Sequence, residues 1–218
     1  SSYQTLLSRT SVDGTLDAAY ADTVFNFFPN YIPTGAGGPY LLSVLPGGMG
    51  RIYVTGYFEQ VNGVAADRLA RLLSNGSPDP HFKVEYRWAN PILEDDRGGL
   101  LVAGNFRSNP GILSRLFPDG SLDTNFNCTC FGLNAVARAD DGWLYLGGTF
   151  TNVNGASHTN LARIDGRGNP DGTFGPVRFG EPYVNTSLSV LDLAPTADGL
   201  VVAGSFRTVN GVQRSGIA

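Results

Sequence analysis

One phrase occurs four times in this chain with constant internal spacing, and it constrains the fold more than any other feature. In each copy an arginine stands eight residues before an aspartate, with a glycine five residues and an aromatic residue eleven residues after the arginine. The pairs are Arg9 and Asp17, Arg71 and Asp79, Arg115 and Asp123, and Arg163 and Asp171. Four matches at constant offsets indicate a tandem repeat, so the chain is expected to fold as an array of similar units.

A second phrase, an apolar run that ends in G-x-F, alternates with the first. It reads RIYVTGYF, LLVAGNF, LYLGGTF and LVVAGSF, and three of the copies continue to V-N-G. Apolar runs bounded by Gly, Asn and Asp predict short strands joined by tight turns. The unit then has one strand before the turn, a second ending in G-x-F, a third with L-A-R-L and a fourth with L-D. Four antiparallel strands in roughly 50 residues have the dimensions of a propeller blade.

The predicted fold is therefore all-β, a β-propeller of four-stranded antiparallel blades formed by four repeats. We expect a single domain over residues 1–218, with repeats at approximately 21–82, 83–126, 127–174 and 175–218, the last completed by 9–20. Joining Ala218 to Arg9 restores the repeated phrase in phase. Closure as a four-blade ring and an arc of a larger propeller both stay open, as does a homo-oligomer that pairs end strands between chains.

The arginine and the aspartate are predicted to face each other across a hairpin. If a type I turn ends in a left-handed glycine, with Pro118 at the first corner in one copy, then residues eight apart are direct cross-strand neighbours. A charge-assisted bond between them, bidentate in the best geometry, would fix the strand register, and the following aromatic residue would pack between blades. The alternative of a calcium loop lacks alternating oxygen ligands and a closing glutamate. The pairs are interpreted as structural, and no metal site is predicted.

These phrases resemble the delta-60 repeat family. G-x-F-x-x-V-N-G, then L-A-R-L, then D-G-x-L-D-x-x-F covers essentially the whole chain, although the second copy has the shorter RSNPG in place of V-N-G. The resemblance implies a bacterial tandem-repeat propeller in large proteins that are often exported or attached to the cell surface. It implies no catalytic residues.

Composition and motifs exclude several classes of function. The net charge of −4 offers no basic surface for nucleic acid, and no apolar run is long enough for membrane insertion. Cys128 and Cys130 form an isolated C-x-C, interpreted as two strand thiols, with a local disulfide as the alternative. Motifs for nucleophilic, metal-dependent or phosphate chemistry are absent from the sequence, so we predict a protein that is not an enzyme and carries no cofactor.

Function in a repeat scaffold is expected where the copies differ. From the aromatic residue to the G-x-F glycine there are 22 residues in copies two and three, but 36 in copy one and 30 in copy four. Aromatic and basic residues in these insertions and in the matching stretch of copy two are the candidate ligand contacts: Phe25, Tyr31, Tyr40, Tyr86, Arg87, Trp88, Arg178, Phe179 and Tyr183. Exposed aromatic rings beside polar groups favour a glycan or protein partner.

The predicted function is a non-catalytic extracellular or cell-surface module for binding or scaffolding, whose export signal is not present in this sequence. Two alternatives stay open: a structural subunit of a surface assembly or fibre and, more weakly, a polysaccharide-degrading enzyme.

Overall fold

The structure, a computed structural model, is all-β with antiparallel sheets. It describes residues 3–18, 20, 22–27, 40–66, 68–84, 90–106, 109–181 and 187–218. These residues fall into two compact units, Ser1–Ser108 with Arg115–Leu122 (unit 1) and Asn109–Ser114 with Asp123–Ala218 (unit 2). A 3₁₀ turn at Gly48–Gly50 is the single helical element in the described ranges.

Unit 1 contains sheets of four and three strands and a paired hairpin. Its strands are β1 (Tyr3–Leu7), β2 (Thr23–Phe27), β3 (Tyr40–Pro46), β4 (Ile52–Tyr57), β5 (Gln60–Val61), β6 (Val64–Ala65), β7 (Leu69–Leu72), β8 (Asn90–Glu94) and β9 (Leu100–Phe106). The strand orders are β1-β2-β5-β6 and β3-β4-β7, and β8 pairs with β9.

Unit 2 repeats the same scheme. β10 (Asn109–Leu116) begins in this unit and is followed by β11 (Cys128–Thr129), β12 (Leu133–Arg138), β13 (Leu144–Gly148), β14 (Asn152–Val153), β15 (Ala156–Ser157), β16 (Leu161–Ile164), β17 (Phe179–Gly180), β18 (Val190–Thr196), β19 (Gly199–Gly204), β20 (Thr208–Val209) and β21 (Val212–Gln213). The orders are β12-β13-β16 and β17-β20-β21, with pairs β10-β11, β14-β15 and β18-β19. Ile217 adds a bridge to Ala203 at the edge of the last pair.

The first three strands of each predicted unit form a sheet, but the fourth is reduced to one bridge. In each repeat the L-D segment forms a single β-bridge with the third strand: Thr10↔Leu16, Leu72↔Pro78, Leu116↔Leu122 and Ile164↔Pro170. The V-N-G segments form the hairpins β5-β6, β14-β15 and β20-β21, and the first and last of these are extended by β2 and β17.

The apolar runs of the G-x-F strands β4 and β9 are buried on both faces, which is why they are nearly continuous rather than alternating. In β4, Tyr53 and Val54 are both fully buried and point to opposite sides. Tyr53 belongs to a cluster with Leu69, Phe82 and Leu100, whereas Val54 belongs to one with Phe25, Phe58 and Leu72. Within each unit one sheet thus packs face to face on the next, β3 and β4 on β8 in unit 1 and β12 and β13 on β18 in unit 2.

The glycine of G-x-F is required by a bulge in the strand beside it. The register shifts by one residue in the first strand of each sheet, between Leu133 and Ala135 in β12 and between Val190 and Asp192 in β18. A Cβ atom at Gly148 would lie 2.1 Å from the carbonyl oxygen of Gly132, and one at Gly204 would lie 2.2 Å from that of Ser189. Both contacts are far inside van der Waals distance, so only glycine fits beside the bulge.

We expect Gly148→Ala to lower the free energy of unfolding by about 2 kcal/mol or more, because the added methyl group must displace backbone. Gly172→Ala is the matched control, since Gly172 has open space around its Cβ position, and its effect should stay within about 0.5 kcal/mol. Urea unfolding of the two variants measures the difference. Equal stability of the two variants would contradict this account of the glycine.

Candidate functional site

The repeated arginine and aspartate flank a three-residue hairpin loop. Around Arg71, Gly76 N–H donates to the carbonyl of Leu73 at 2.9 Å, and Leu73 N–H donates to that of Ser77 at 2.8 Å. Gly76 has φ of +84°, and the same left-handed conformation occurs at Gly14, Gly120 and Gly168. This is a type I turn completed by a left-handed glycine, and it places Arg71 directly opposite Asp79.

The pair forms a charged contact in which each carboxylate oxygen has a separate role. The Nε and Nη2 atoms of Arg71 both lie 2.9 Å from Oδ2 of Asp79, and the pair is almost completely buried. Arg9 with Asp17 and Arg163 with Asp171 repeat the two donations to Oδ2. Two donors on one oxygen differ from the bidentate fork of the sequence hypothesis, because Oδ1 is occupied elsewhere.

The second oxygen of the aspartate holds the next turn. Oδ1 of Asp79 accepts from His81 N–H at 2.9 Å, and Oδ1 of Asp171 accepts from Thr173 N–H at 2.8 Å. Phe82 N–H then donates to the carbonyl of Asp79 at 3.3 Å, which closes a turn. One carboxylate therefore fixes both the hairpin and the direction in which the aromatic residue returns.

The aromatic residue lies on the arginine rather than past the strand end. The guanidinium carbon of Arg71 is 4.6 Å from the ring centre of Phe82, and the corresponding distances are 4.7 Å for Arg9 with Tyr20 and 5.1 Å for Arg163 with Phe174. These are cation–π distances. The aromatic residue thus covers the charged pair, and in unit 1 Phe82 also packs between Tyr53 of one sheet and Leu100 of the next.

The arginine also reaches the following repeat inside unit 1. Nη1 of Arg9 donates to the carbonyl of Ser74 at 2.9 Å, and Nη1 of Arg71 donates to that of Pro118 at 2.5 Å. Ser74 and Pro118 each stand three residues after the next arginine of the repeat. In Arg9 and Arg71 the same side chain therefore closes its own hairpin and also holds the turn of the next repeat.

These contacts lower the carboxyl pKa values. For Asp79, burial alone would raise the pKa, but the His81 N–H and the Arg71 guanidinium bring it below the ordinary value of 3.8. For Asp171, hydrogen bonds from the hydroxyl and N–H of Thr173, together with Arg163, lower the pKa to about 2. A carboxylate with a depressed folded pKa stabilises the fold above its ordinary pKa, and this stability is lost as the pH falls through the folded value.

We expect Asp79→Asn to lower the free energy of unfolding by about 1–3 kcal/mol at neutral pH, because a buried guanidinium loses its counter-charge. The difference from the wild type should shrink as the pH falls below the ordinary carboxyl pKa of 3.8, because the wild-type carboxylate becomes protonated. Denaturant unfolding across this pH range measures it, with the exposed Asp198→Asn as control. A difference that did not depend on pH would argue against a stabilising ion pair.

The V-N-G segment is a second structural motif, whose role the sequence reasoning missed. Asn154 and Gly155 both have positive φ, as Asn62-Gly63 and Asn210-Gly211 do, so each N-G forms the tight turn of a hairpin. Oδ1 of Asn154 accepts from Thr129 N–H at 2.6 Å, and the N–H of Asn154 donates to the carbonyl of Thr129 at 3.0 Å. The asparagine thus ties the hairpin to a preceding strand. Its occurrence in three copies of the repeat was the sequence feature that could have indicated this structural role.

Two of the predicted ligand contacts belong to the packing instead. Phe25 is fully buried, with its ring centre 4.9 Å from that of Phe58, so it presents no exposed ring. Phe179 is half-buried and lies at the same distance from Phe206. Both stand opposite the valine of a V-N-G strand, Phe25↔Val61 and Phe179↔Val209. Each ring extends the packing of a G-x-F phenylalanine.

The remaining candidates are not brought together by the described structure. Arg178 is exposed, and its backbone N–H donates to Oδ1 of Asn210 at 2.9 Å. Tyr40 begins β3, where its backbone pairs with Tyr57. The other five candidates lie outside the described residues: Tyr31, Tyr86, Arg87, Trp88 and Tyr183.

Cys128 and Cys130 are free thiols in the core of unit 2. Both are fully buried, and burial raises the pKa of each thiol to about 12, with Cys128 adding to the effect at Cys130. The backbone N–H of Thr129, between the two thiols, donates to the asparagine side chain of a V-N-G hairpin, as the N–H groups of Val24 and Arg178 do in other repeats. Cys130 directly follows Thr129, as Phe25 follows Val24 and Phe179 follows Arg178. It therefore occupies the repeat position that is aromatic in those two repeats.

We expect the two thiols of the native chain to react with a disulfide reagent at about pH 8 at least about a hundredfold more slowly than in denaturant, because the thiolate is scarce and covered. The absorbance of the released thiolate measures both rates. Rapid reaction of the native chain would contradict burial. Failure of the denatured chain to react would instead show a disulfide.

A cavity of about 480 Å³ lies in unit 1 beside the first full repeat. One wall is apolar and comes from the β6 hairpin and β7, with Val64, Ala65 and Leu69. The segment Pro78 to Val84 forms the other wall and includes Phe82. Glu59 and the exposed Lys83 place opposite charges on the lining. No role was predicted for Glu59 or Lys83, because neither belongs to a motif that the sequence repeats.

Among the residues that the structure describes, no helix has the length and apolar character needed to cross a lipid bilayer. The same residues contain no group of three or more His, Cys, Asp or Glu side chains placed to hold a metal ion.

The repeated segments match a known protein family. A family model described as a domain of unknown function (DUF5122) beta-propeller matches residues 50–82, 98–126, 139–174 and 196–218, which together exceed half of the chain. Each matched segment contains a G-x-F strand, and the first three also contain the arginine–aspartate hairpin. A search of curated proteins found no significant match.

Proposed function

We propose that this chain, which belongs to the DUF5122 beta-propeller family, is a non-catalytic binding module that recognises a glycan through the cavity of unit 1. The proposal includes that the chain is a delta-60 repeat protein and that it forms part of a bacterial extracellular or cell-surface protein. Sheets that act as blades, in a ring or in an arc, would serve as the rigid frame.

The cavity is the observation that carries the proposal. Its volume of about 480 Å³ falls in the range of pockets that hold small ligands. Val64 and Leu69 offer apolar contact for the carbon face of a sugar, while Glu59 and Lys83 offer an acceptor and a donor for hydroxyl groups. A frame fixed by ion pairs would lose little entropy when a ligand binds.

We expect the chain to bind on an array of neutral and charged glycans, and Glu59→Gln and Lys83→Ala each to weaken the best ligand by about tenfold or more, which corresponds to about 1.4 kcal/mol. Isothermal titration calorimetry measures this, with Asp198→Asn as the control at an exposed carboxylate outside the cavity. Unchanged affinity in both cavity variants would show that the glycan does not bind in the cavity.

The inserted segments are the competing location for the same function. Tyr31→Ala and Tyr183→Ala should leave affinity unchanged if the ligand lies in the cavity, and should abolish binding if recognition belongs to the insertions. Hydrolysis of the bound glycan during the assay would instead show that the protein is a polysaccharide-degrading enzyme, the alternative to a binding module.

A further inference from the structure

Two of the N-G turns have the same backbone and the same exposure. Asn62 and Asn154 both have a φ of 49°, and the glycines that follow them, Gly63 and Gly155, have φ values of +78° and +80°. Both asparagines are exposed, and both glycines have open space around the Cβ position. In each turn Oδ1 of the asparagine accepts a backbone N–H of a preceding strand. The two turns are therefore a matched pair.

The pair differs at the amide nitrogen of the asparagine side chain. Nδ2 of Asn154 donates to the carbonyls of Asn127 and Gly168, each at 2.9 Å, which uses both of its hydrogens. Among the described residues, none accepts a hydrogen bond from Nδ2 of Asn62. The side-chain amide is therefore fixed at both ends in one turn and at the oxygen alone in the other.

A difference in one preceding residue accompanies this change. Gly76 and Gly168 occupy the same repeat position, five residues after the arginine. The carbonyl of Gly76 accepts from the buried hydroxyl of Thr23 at 2.8 Å. Cys128 has the place of Thr23, since each directly precedes the residue whose N–H binds the asparagine. A thiol is a weak donor, so the carbonyl of Gly168 is left to Asn154.

An asparagine that precedes a glycine is able to lose its amide in an intramolecular reaction. The backbone nitrogen of the glycine attacks Cγ of the asparagine, the bond from Cγ to Nδ2 breaks, and ammonia leaves with the proton of the glycine nitrogen. The succinimide ring that forms then takes up water and opens to aspartate or isoaspartate. Nδ2 loses its planar geometry in this step, so hydrogen bonds that hold both of its N–H groups oppose the reaction.

We propose that Asn62 is a site of spontaneous deamidation and that Asn154 is protected from this reaction by the two carbonyls that bind its Nδ2. Asn62 lies two residues before Val64, which forms part of the wall of the cavity in unit 1. Isoaspartate has a longer backbone than asparagine, so its formation changes the tight turn and this wall with it. The reaction itself does not depend on glycan binding.

Mass spectrometry of the full chain at single-residue level tests this proposal. The folded chain is incubated in mildly alkaline buffer and then digested, and the peptides with Asn62 and Asn154 are quantified as asparagine, aspartate and isoaspartate. Each rate is divided by the rate at the same site in denaturant, which removes the effect of neighbouring sequence. We expect this ratio to be higher at Asn62 by about tenfold or more, which corresponds to about 1.4 kcal/mol of activation free energy. Equal ratios, or no reaction at Asn62 in the folded chain, overturn the proposal.

Variants of Cys128 test the role of the carbonyl. Cys128→Thr supplies a hydroxyl for the carbonyl of Gly168, as Thr23 does for Gly76, so the rate at Asn154 should rise by about fivefold, the effect of one hydrogen bond. Cys128→Ala removes the same thiol without adding a donor and is the matched control, in which Asn154 should stay slow. Circular dichroism melting checks that both variants are folded. Equal rates at Asn154 in the two variants would show that the carbonyl does not protect it.

Discussion

The contact between the repeated arginine and aspartate is the interaction on which the rest of the structure depends. One guanidinium donates to the carboxylate, lies on an aromatic ring and, in Arg9 and Arg71, donates to a carbonyl of the next repeat. The carboxylate in turn holds the following turn with its second oxygen. Register, the return of the chain and the junction to the neighbour are thus set by one buried charge cluster. Breaking such a cluster leaves an uncompensated charge, which is costly in an apolar surrounding.

The residues of the charge cluster are poor candidates for binding a ligand. Arg71 and Asp79 border the cavity of unit 1, yet their polar atoms already have partners. Glu59 and Lys83 are the charged lining residues that stand outside the repeated phrase. In a repeat protein, the residues at repeated positions can therefore serve folding, while the residues between them serve recognition.

Much of the fold could be predicted because its signals are local. The left-handed Gly76 and the pairing of Arg71 with Asp79 follow from turn geometry, which depends on a few adjacent residues. The docking of Asn154 on Thr129 could not be predicted, since the two are far apart in sequence and meet only after the sheets have formed. Phe25 was predicted to be exposed because its segment is an insertion, but the nearby Phe58 supplies a packing partner, which buries it.

The sequence by itself determined the repeat, the turns, the antiparallel strands and the identity of the charged pair, because each follows from spacing along the chain. Only the tertiary structure decided that the aromatic residue covers the arginine, that Cys130 occupies an aromatic position and that a cavity opens beside β7. These features depend on which sheet packs on which. Packing between sheets is a non-directional effect of burial, and sequence spacing does not encode it.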